Sequence, residues 1–363
     1  MLATWEALEP SPFKERLLAA IERKDFSGQE SVVMRKGADR KCVMLAENGL
    51  CSIHKQSEDL LAPTCREYPR ITRQSGARKL ESAKLSCPEM VRLVLAAETG
   101  NQFHASADVV QTAPMSVDFV AQVGQMLEDF VKQVISERRF PLAVRITVIA
   151  GVLVQLALKS QQSRVDLRGV QGLCAKPKQQ LYDLNQKFKS GSIKPQALVG
   201  GRFWRLVFSI LLEADAEPYV DPAIQRSEVA QRAKSAQSDA DYEALYKEIM
   251  GYRDKAVFEL SEPNRLYGEK YLLVKFINSG FPAVPIEGNF IATFLFCVYP
   301  YALIQLYLWL LAAHKGKIGD ADVLSVISRV ERMLDHNDRI YRFLNQSEAA
   351  MRLDLYYQCL MDL

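Results

Sequence analysis

From about Ser116 onward the sequence repeats apolar residues at helical spacing, and no other feature narrows the fold as far. In "SVDFVAQVGQMLEDFVKQVISE" Phe119, Val120, Val123, Met126, Leu127, Phe130, Val131 and Val134 recur on one side of a helix. "GDADVLSVISRVERMLDHN" does the same with Val323, Leu324, Val326, Ile327, Val330, Met333 and Leu334. Such segments, joined by short Gly, Pro and Asp turns, predict a mainly α protein: a helical bundle of about seven or eight helices. The polar, alanine-rich "IQRSEVAQRAKSAQSDADYEALYKE" reads as a solvent-facing helix or a connection.

One stretch of this region is long enough to cross a bilayer. "FIATFLFCVYPYALIQLYLWLLAA" (290–313) carries no charge. Pro300 breaks it near the middle, and Tyr299, Tyr301, Gln305 and Tyr307 add polar tips, so it reads as two buried helical segments around a proline kink. A membrane-associated form is the alternative that length allows.

The first hundred residues differ. Ser11 and Pro12 start a helix as cap and first residue. Short β-prone pieces ("SVVMRK", "CVML", "KLESAKLS") then alternate with turns such as "ENG" and "APT", and the helical period fades until "CPEMVRLVLAAE". Four of the seven cysteines lie here, Cys42, Cys51, Cys65 and Cys87, spaced C-x8-C-x13-C-x21-C. Each stands at a turn or element boundary, from which side chains can converge. "MLATWEALEPSPFKER" lacks the basic start and apolar run of a secretory leader, which predicts a cytoplasmic chain with reduced thiols. There, clustered cysteines point to metal binding or catalysis rather than disulfides. A metal would staple a region poor in regular structure. The expected organisation is a cysteine-cluster region over 1–105 and an α-helical domain over 106–363.

Cys174, Cys297 and Cys359 lie in helical surroundings and read as small buried hydrophobes. His54, three residues after Cys51, suits a Cys3His zinc site, although four cysteines suffice without it. His104, His314 and His336 have no ligand partners nearby in sequence. The net charge of +3 offers no footprint for nucleic acid.

"C51-S-I-H", "C65-R-E-Y-P-R70" and "L-S-C87-P-E89" resemble, in order and spacing, three elements of the bacterial flagellin lysine-N-methylase family. Weaker likeness lies around Asn289-Phe290 and Tyr299-Pro300. The resemblance implies a methyltransferase that carries methyl groups from S-adenosylmethionine to lysines of a protein substrate, flagellin. It also implies an iron–sulfur cluster of the [4Fe–4S] type, with Cys42, Cys51, Cys65 and Cys87 as ligands and zinc as the alternative metal. Members of this family usually begin with a further cysteine block containing a Cys-Cys pair and a following Gly-Trp, and this chain starts after the place where that block stands.

Four thiolates close a cluster, whereas three leave one iron open to a substrate. Both versions stay open at this stage. Lys41, Arg66, Arg70 and Arg73 flank the cysteines, and Arg66 and Arg70, which bracket the Tyr-Pro turn, are the candidate donors to cluster sulfurs. No Gly-rich strand–turn–helix signature marks a Rossmann-type cofactor site. Glu89, Asn289 and Tyr299 are the polar groups at family-like positions, and none is assigned as a base. The competing reading is a non-enzymatic, metal-stapled helical module that binds or assembles a protein partner.

Overall fold

Ser11 accepts a hydrogen bond from the Lys14 amide at 3.2 Å and Pro12 follows it, so the first amphipathic helix begins where cap chemistry places it. The computed structural model describes residues 2–26, 29–38, 41–75, 78–97, 119–162, 166–193, 196–212, 220–282, 290–335, 360, 362 and 363. These fall into two units, Met1–Tyr68 and Pro69–Leu363.

The first unit holds α1 (Leu2–Glu6), α2 (Pro12–Ala19), the antiparallel hairpin β1 (Ile21–Phe26) and β2 (Gln29–Met34), and two single-turn helices, α3 (Ser52–Gln56) and α4 (Pro63–Glu67). Its small core is Trp5, Leu17, Ala20, Met44, Ile53 and Leu61. The Trp5 indole N–H donates to the Leu60 carbonyl at 2.9 Å and ties the two ends of the unit together.

The second unit opens with a hairpin, β3 (Arg70–Ser75) and β4 (Arg78–Ala83), and α5 (Pro88–Ala96). Then come α6 (Phe119–Ser136), α7 (Leu142–Gln162), α8 (Leu167–Cys174), α9 (Pro177–Lys189), α10 (Ala197–Leu212), α11 (Pro222–Gln225), α12 (Glu228–Ser235) and α13 (Asp239–Lys255). The two-residue strand β5 (Phe258–Glu259) pairs in parallel with β6 (Ile318–Gly319); between them run α14 (Tyr267–Ser279) and α15 (Phe290–Lys315), and α16 (Asp320–Asp335) follows. The protein is therefore mainly α, as the periodicity predicts.

From α6 onward, where seven or eight helices are expected, the described residues form eleven α-helices. Part of the excess is α11, a four-residue turn too short to show a period. The polar stretch read as a solvent-facing helix is split into α11, α12 and α13. These helices bury Ile224, Val229, Ala230, Ala233, Leu245, Ile249 and Met250. "CVML" is not a strand; it makes only isolated bridges, Lys36 with Cys42 and Leu45 with Cys51. The second hairpin does contain "KLESA".

α15 is one continuous helix with Pro300 inside it, not two segments. Proline removes one backbone hydrogen bond, but the apolar flanks pack on all sides, and 89% of its most apolar window is buried. Among the described residues, α7 is the other helix long and apolar enough to span a bilayer, and 56% of its window is buried.

α10 and α13 meet at Gly200 and Gly201. Asp362, itself buried, joins this pair: it accepts from the Tyr246 hydroxyl at 3.2 Å and lies 3.5 Å from Arg253. Burial lifts its carboxyl from 3.8 to about 6, against the pull of Arg253 and of the hydrogen bond from Tyr246. The folded state thus holds the proton more tightly than the unfolded chain. This contribution is complete below pH 3.8 and lost as pH rises through about 6. Stability should fall over that window by up to about 3 kcal/mol. Asp362→Asn should flatten the slope in urea melts at pH 4.5 and 7.5; equal slopes in wild type and variant would refute the assignment.

Candidate functional site

The loop before α3 brings two cysteines together by turn chemistry. Asn48 accepts from the Leu50 amide at 3.0 Å, and Gly49 takes the left-handed φ of +77° that the turn needs. Ala46 and Leu50 close the turn at 2.9 Å, and Ser52 donates to the Met44 carbonyl at 2.9 Å. Cys51 consequently bridges Leu45, three residues from Cys42, and both thiols pack on the small core. Cys51 is the N-cap of α3 but its side chain makes no cap hydrogen bond. Its sulfur is not committed to the helix.

Cys65 reaches the surface from the middle of α4. Its thiol is shifted upward, first by partial burial and then by the charges of Cys42 and Cys51. Three of the four expected ligands therefore share one electrostatic neighbourhood. Among the described residues, however, no group of three or more His, Cys, Asp or Glu side chains forms a metal-holding set. The donor type suits an iron–sulfur or zinc centre, but the described side chains are not gathered into one coordination set.

Cys87 belongs to the second unit, as N-cap of α5, with Pro88 in the first turn. Arg66 donates to the Asp59 carbonyl at 2.8 Å and so pins α4 to the 3-10 turn Glu58–Leu60. Arg70 is exposed at the head of β3, and His54 is exposed on α3. Glu89 pairs with Arg92 at 2.6 Å on the surface of α5. Tyr299 is buried against Phe203. Cys297 is fully buried, its sulfur 3.1 Å from the Ser279 hydroxyl. Burial pushes the Cys174 thiol up to about 11, which keeps it inert. His104, His336, Cys359 and Asn289 lie outside the described residues.

A polar network on α14 has no counterpart in the sequence reading. Glu269, Lys270 and Lys275 point in three directions round the helix, and all three are buried. Glu269 accepts from Arg138 (2.9 and 2.7 Å) and from Arg145 at 2.8 Å. Lys270 donates to the carbonyls of Leu95, at the end of α5, and Pro263. Its ammonium is shifted downward by desolvation and then by Arg138. Lys275 forms two bonds to Glu331, 2.9 and 2.7 Å, and Tyr271 donates to the same carboxylate. α14 thereby ties α5, α7 and α16 together. The available signal was "YGEKYLLVKFINS" itself, whose charges leave no single polar face.

A cleft of about 640 Å³ opens between α13 and the end of α15. Gly251, Ala312, Ala313 and Gly316 make its small-residue lining, beside Lys247, Glu248, Tyr252 and Lys255. Glu248 is paired with Arg232 at 3.0 Å. An incoming lysine ammonium would meet two like charges there, so no lysine-binding role is assigned to it.

Residues 128–354 match the FliB lysine N-methylase C-terminal domain. This chain belongs to the FliB lysine N-methylase family. Searches of curated proteins and of solved structures gave no match. The FliB match covers most of the second unit, from within α6 through α16, whereas the cysteine motifs lie at 42–89. Family assignment and the cysteine-motif resemblance therefore rest on separate residues and agree; the weaker likeness at 289–300 lies inside the matched segment.

Proposed function

We propose that the chain methylates lysine side chains of a protein, with flagellin as substrate and S-adenosylmethionine as methyl donor, in the cytoplasm. The FliB match over 128–354 carries this reading. In such a transfer the lone pair of a neutral lysine Nζ bonds the methyl carbon as the carbon–sulfur bond of the donor breaks. The site must therefore favour loss of the ammonium proton, by desolvation or a base, since the free amine has a pKa near 10.4. No residue is assigned that role.

The iron–sulfur part of the proposal draws on the motif resemblance and on the shared neighbourhood of Cys42, Cys51 and Cys65. The "LSCPE" motif adds Cys87 to the ligand set. Protein purified without oxygen should be brown, absorb broadly near about 400 nm and contain iron and acid-labile sulfide. Cys65→Ala and Cys87→Ala should each lose the metal, while Cys174→Ala and Cys297→Ala keep it. Colourless protein with one zinc per chain would replace the cluster by a zinc staple. Metal loss in the Cys174 or Cys297 variant would overturn the ligand assignment. For the activity itself, flagellin incubated with the protein and S-adenosylmethionine should gain mass in methyl steps. Flagellin bound but unmodified would favour the non-enzymatic module.

A further inference from the structure

We propose that Arg332 and Asp335 of α16, with Asn278 of α14, are positioning residues that set the Cys87 thiol. The inference rests on the reading that Cys87 has a chemical role. Four consecutive residues before it are fixed. Asn278 donates from Nδ2 to the Ala83 carbonyl at 2.9 Å. The Lys84 amide donates to the Pro69 carbonyl at 2.7 Å, and the Lys84 ammonium lies 3.6 Å from Asp335. Leu85 and Ser86 are each 1% exposed. Ser86 is held at both of its oxygens: its hydroxyl donates to Asp335 Oδ2 at 2.7 Å, and its carbonyl accepts from Arg332 Nε at 2.9 Å.

After Cys87 the chain is equally constrained. Its carbonyl accepts from the Val91 amide at 3.1 Å and starts α5. The Cys87 side chain makes no cap hydrogen bond, so its thiol is not committed to the start of α5 while its backbone is immobilised. A side chain has little freedom left once its backbone is fixed on both sides, beyond its staggered rotamers. Arg332 is exposed and contributes nothing to the apolar core. Its bond to a buried carbonyl next to a motif cysteine is local control of that cysteine. The holding residues all belong to the segment that matches the FliB domain, and the held residue lies outside it.

The test follows iodoacetamide labelling of each cysteine by mass spectrometry, on the full chain stripped of metal with chelator and reductant. In the Arg332→Ala/Asp335→Ala double variant Cys87 should label at least about five-fold faster, as loss of even one ordinary hydrogen bond from a local opening equilibrium gives. Cys174 should be unchanged and Cys297 should stay protected. Arg332→Lys, which keeps a donor, should label Cys87 at close to the wild-type rate. An unchanged Cys87 rate in the double variant overturns the proposal. Labelling of Cys297 would signal general unfolding, and Ser86→Ala then decides: faster Cys87 with protected Cys297 supports the clamp, and no change at either overturns it. The metal reading is scored separately, on untreated wild type. If Cys87 labels equally before and after chelation, its ligand role fails while the clamp result stands.

Discussion

Replacing Glu331 by alanine should destabilise the protein by about 3–5 kcal/mol, the cost of stranding a buried charge. Lys275 and Glu331 have side chains 8% and 5% exposed, and two hydrogen bonds join them. Deleting the carboxylate leaves the ammonium in a low-dielectric core and strips the Tyr271 hydroxyl of its acceptor. Both groups sit on α14, so the damage spreads to the helix that anchors α5, α7 and α16. Replacing the pair by apolar side chains of similar size, Lys275→Met with Glu331→Leu, should cost far less or even stabilise, because the desolvation penalty of both ions disappears. Urea melts of the two variants check this, and a double variant as unstable as Glu331→Ala would show that packing, not charge, dominates there.

Gly201→Ala should also destabilise the protein, by a smaller amount. A Cβ at Gly201 would stand 1.9 Å from the Tyr242 carbonyl oxygen and 2.4 Å from its carbon. These are backbone atoms of α13, so no rotamer change relieves the clash and the helices must separate. Overpacking of this kind costs about 1–3 kcal/mol and occasionally more. Alanine's better helix propensity returns only about 1 kcal/mol. A net loss of up to about 2 kcal/mol lowers Tm by roughly 3 °C in a unit of this size. Gly251→Ala on α13 is the control, since a Cβ there meets nothing within 4 Å; it should be neutral or stabilising. Equal Tm for wild type and Gly201→Ala would mean that α10 and α13 do not approach so closely.

The helical class was readable because long segments such as α6 and α16 carry their apolar stripe at one period, and that period depends on nothing remote. α13 misled because few apolar residues suffice when the opposing helix is lined by glycine, and the close crossing at Gly200 and Gly201 completes its burial; α12 buries Val229, Ala230 and Ala233 from a single short face. α14 escaped for a different reason. Its charges are neutralised by Arg145 and Glu331, 124 and 56 residues away, and no local pattern encodes such partners. At the candidate site, the grouping of Cys42 and Cys51 follows from the Asn48-Gly49 turn, a signal confined to a few residues. The seat of Cys87 does not, because Arg332 and Asp335 lie some 250 residues downstream.

Transfer of an isotopic methyl group from donor to lysine reads out the catalysis. Purified flagellin is incubated with the metal-replete protein and S-adenosylmethionine carrying a deuterated methyl group, then digested and mapped. Labelled methyl is expected on lysine Nζ atoms of flagellin, absent when the protein is omitted. Flagellin lysines left unlabelled by folded, metal-replete protein would contradict the proposed activity.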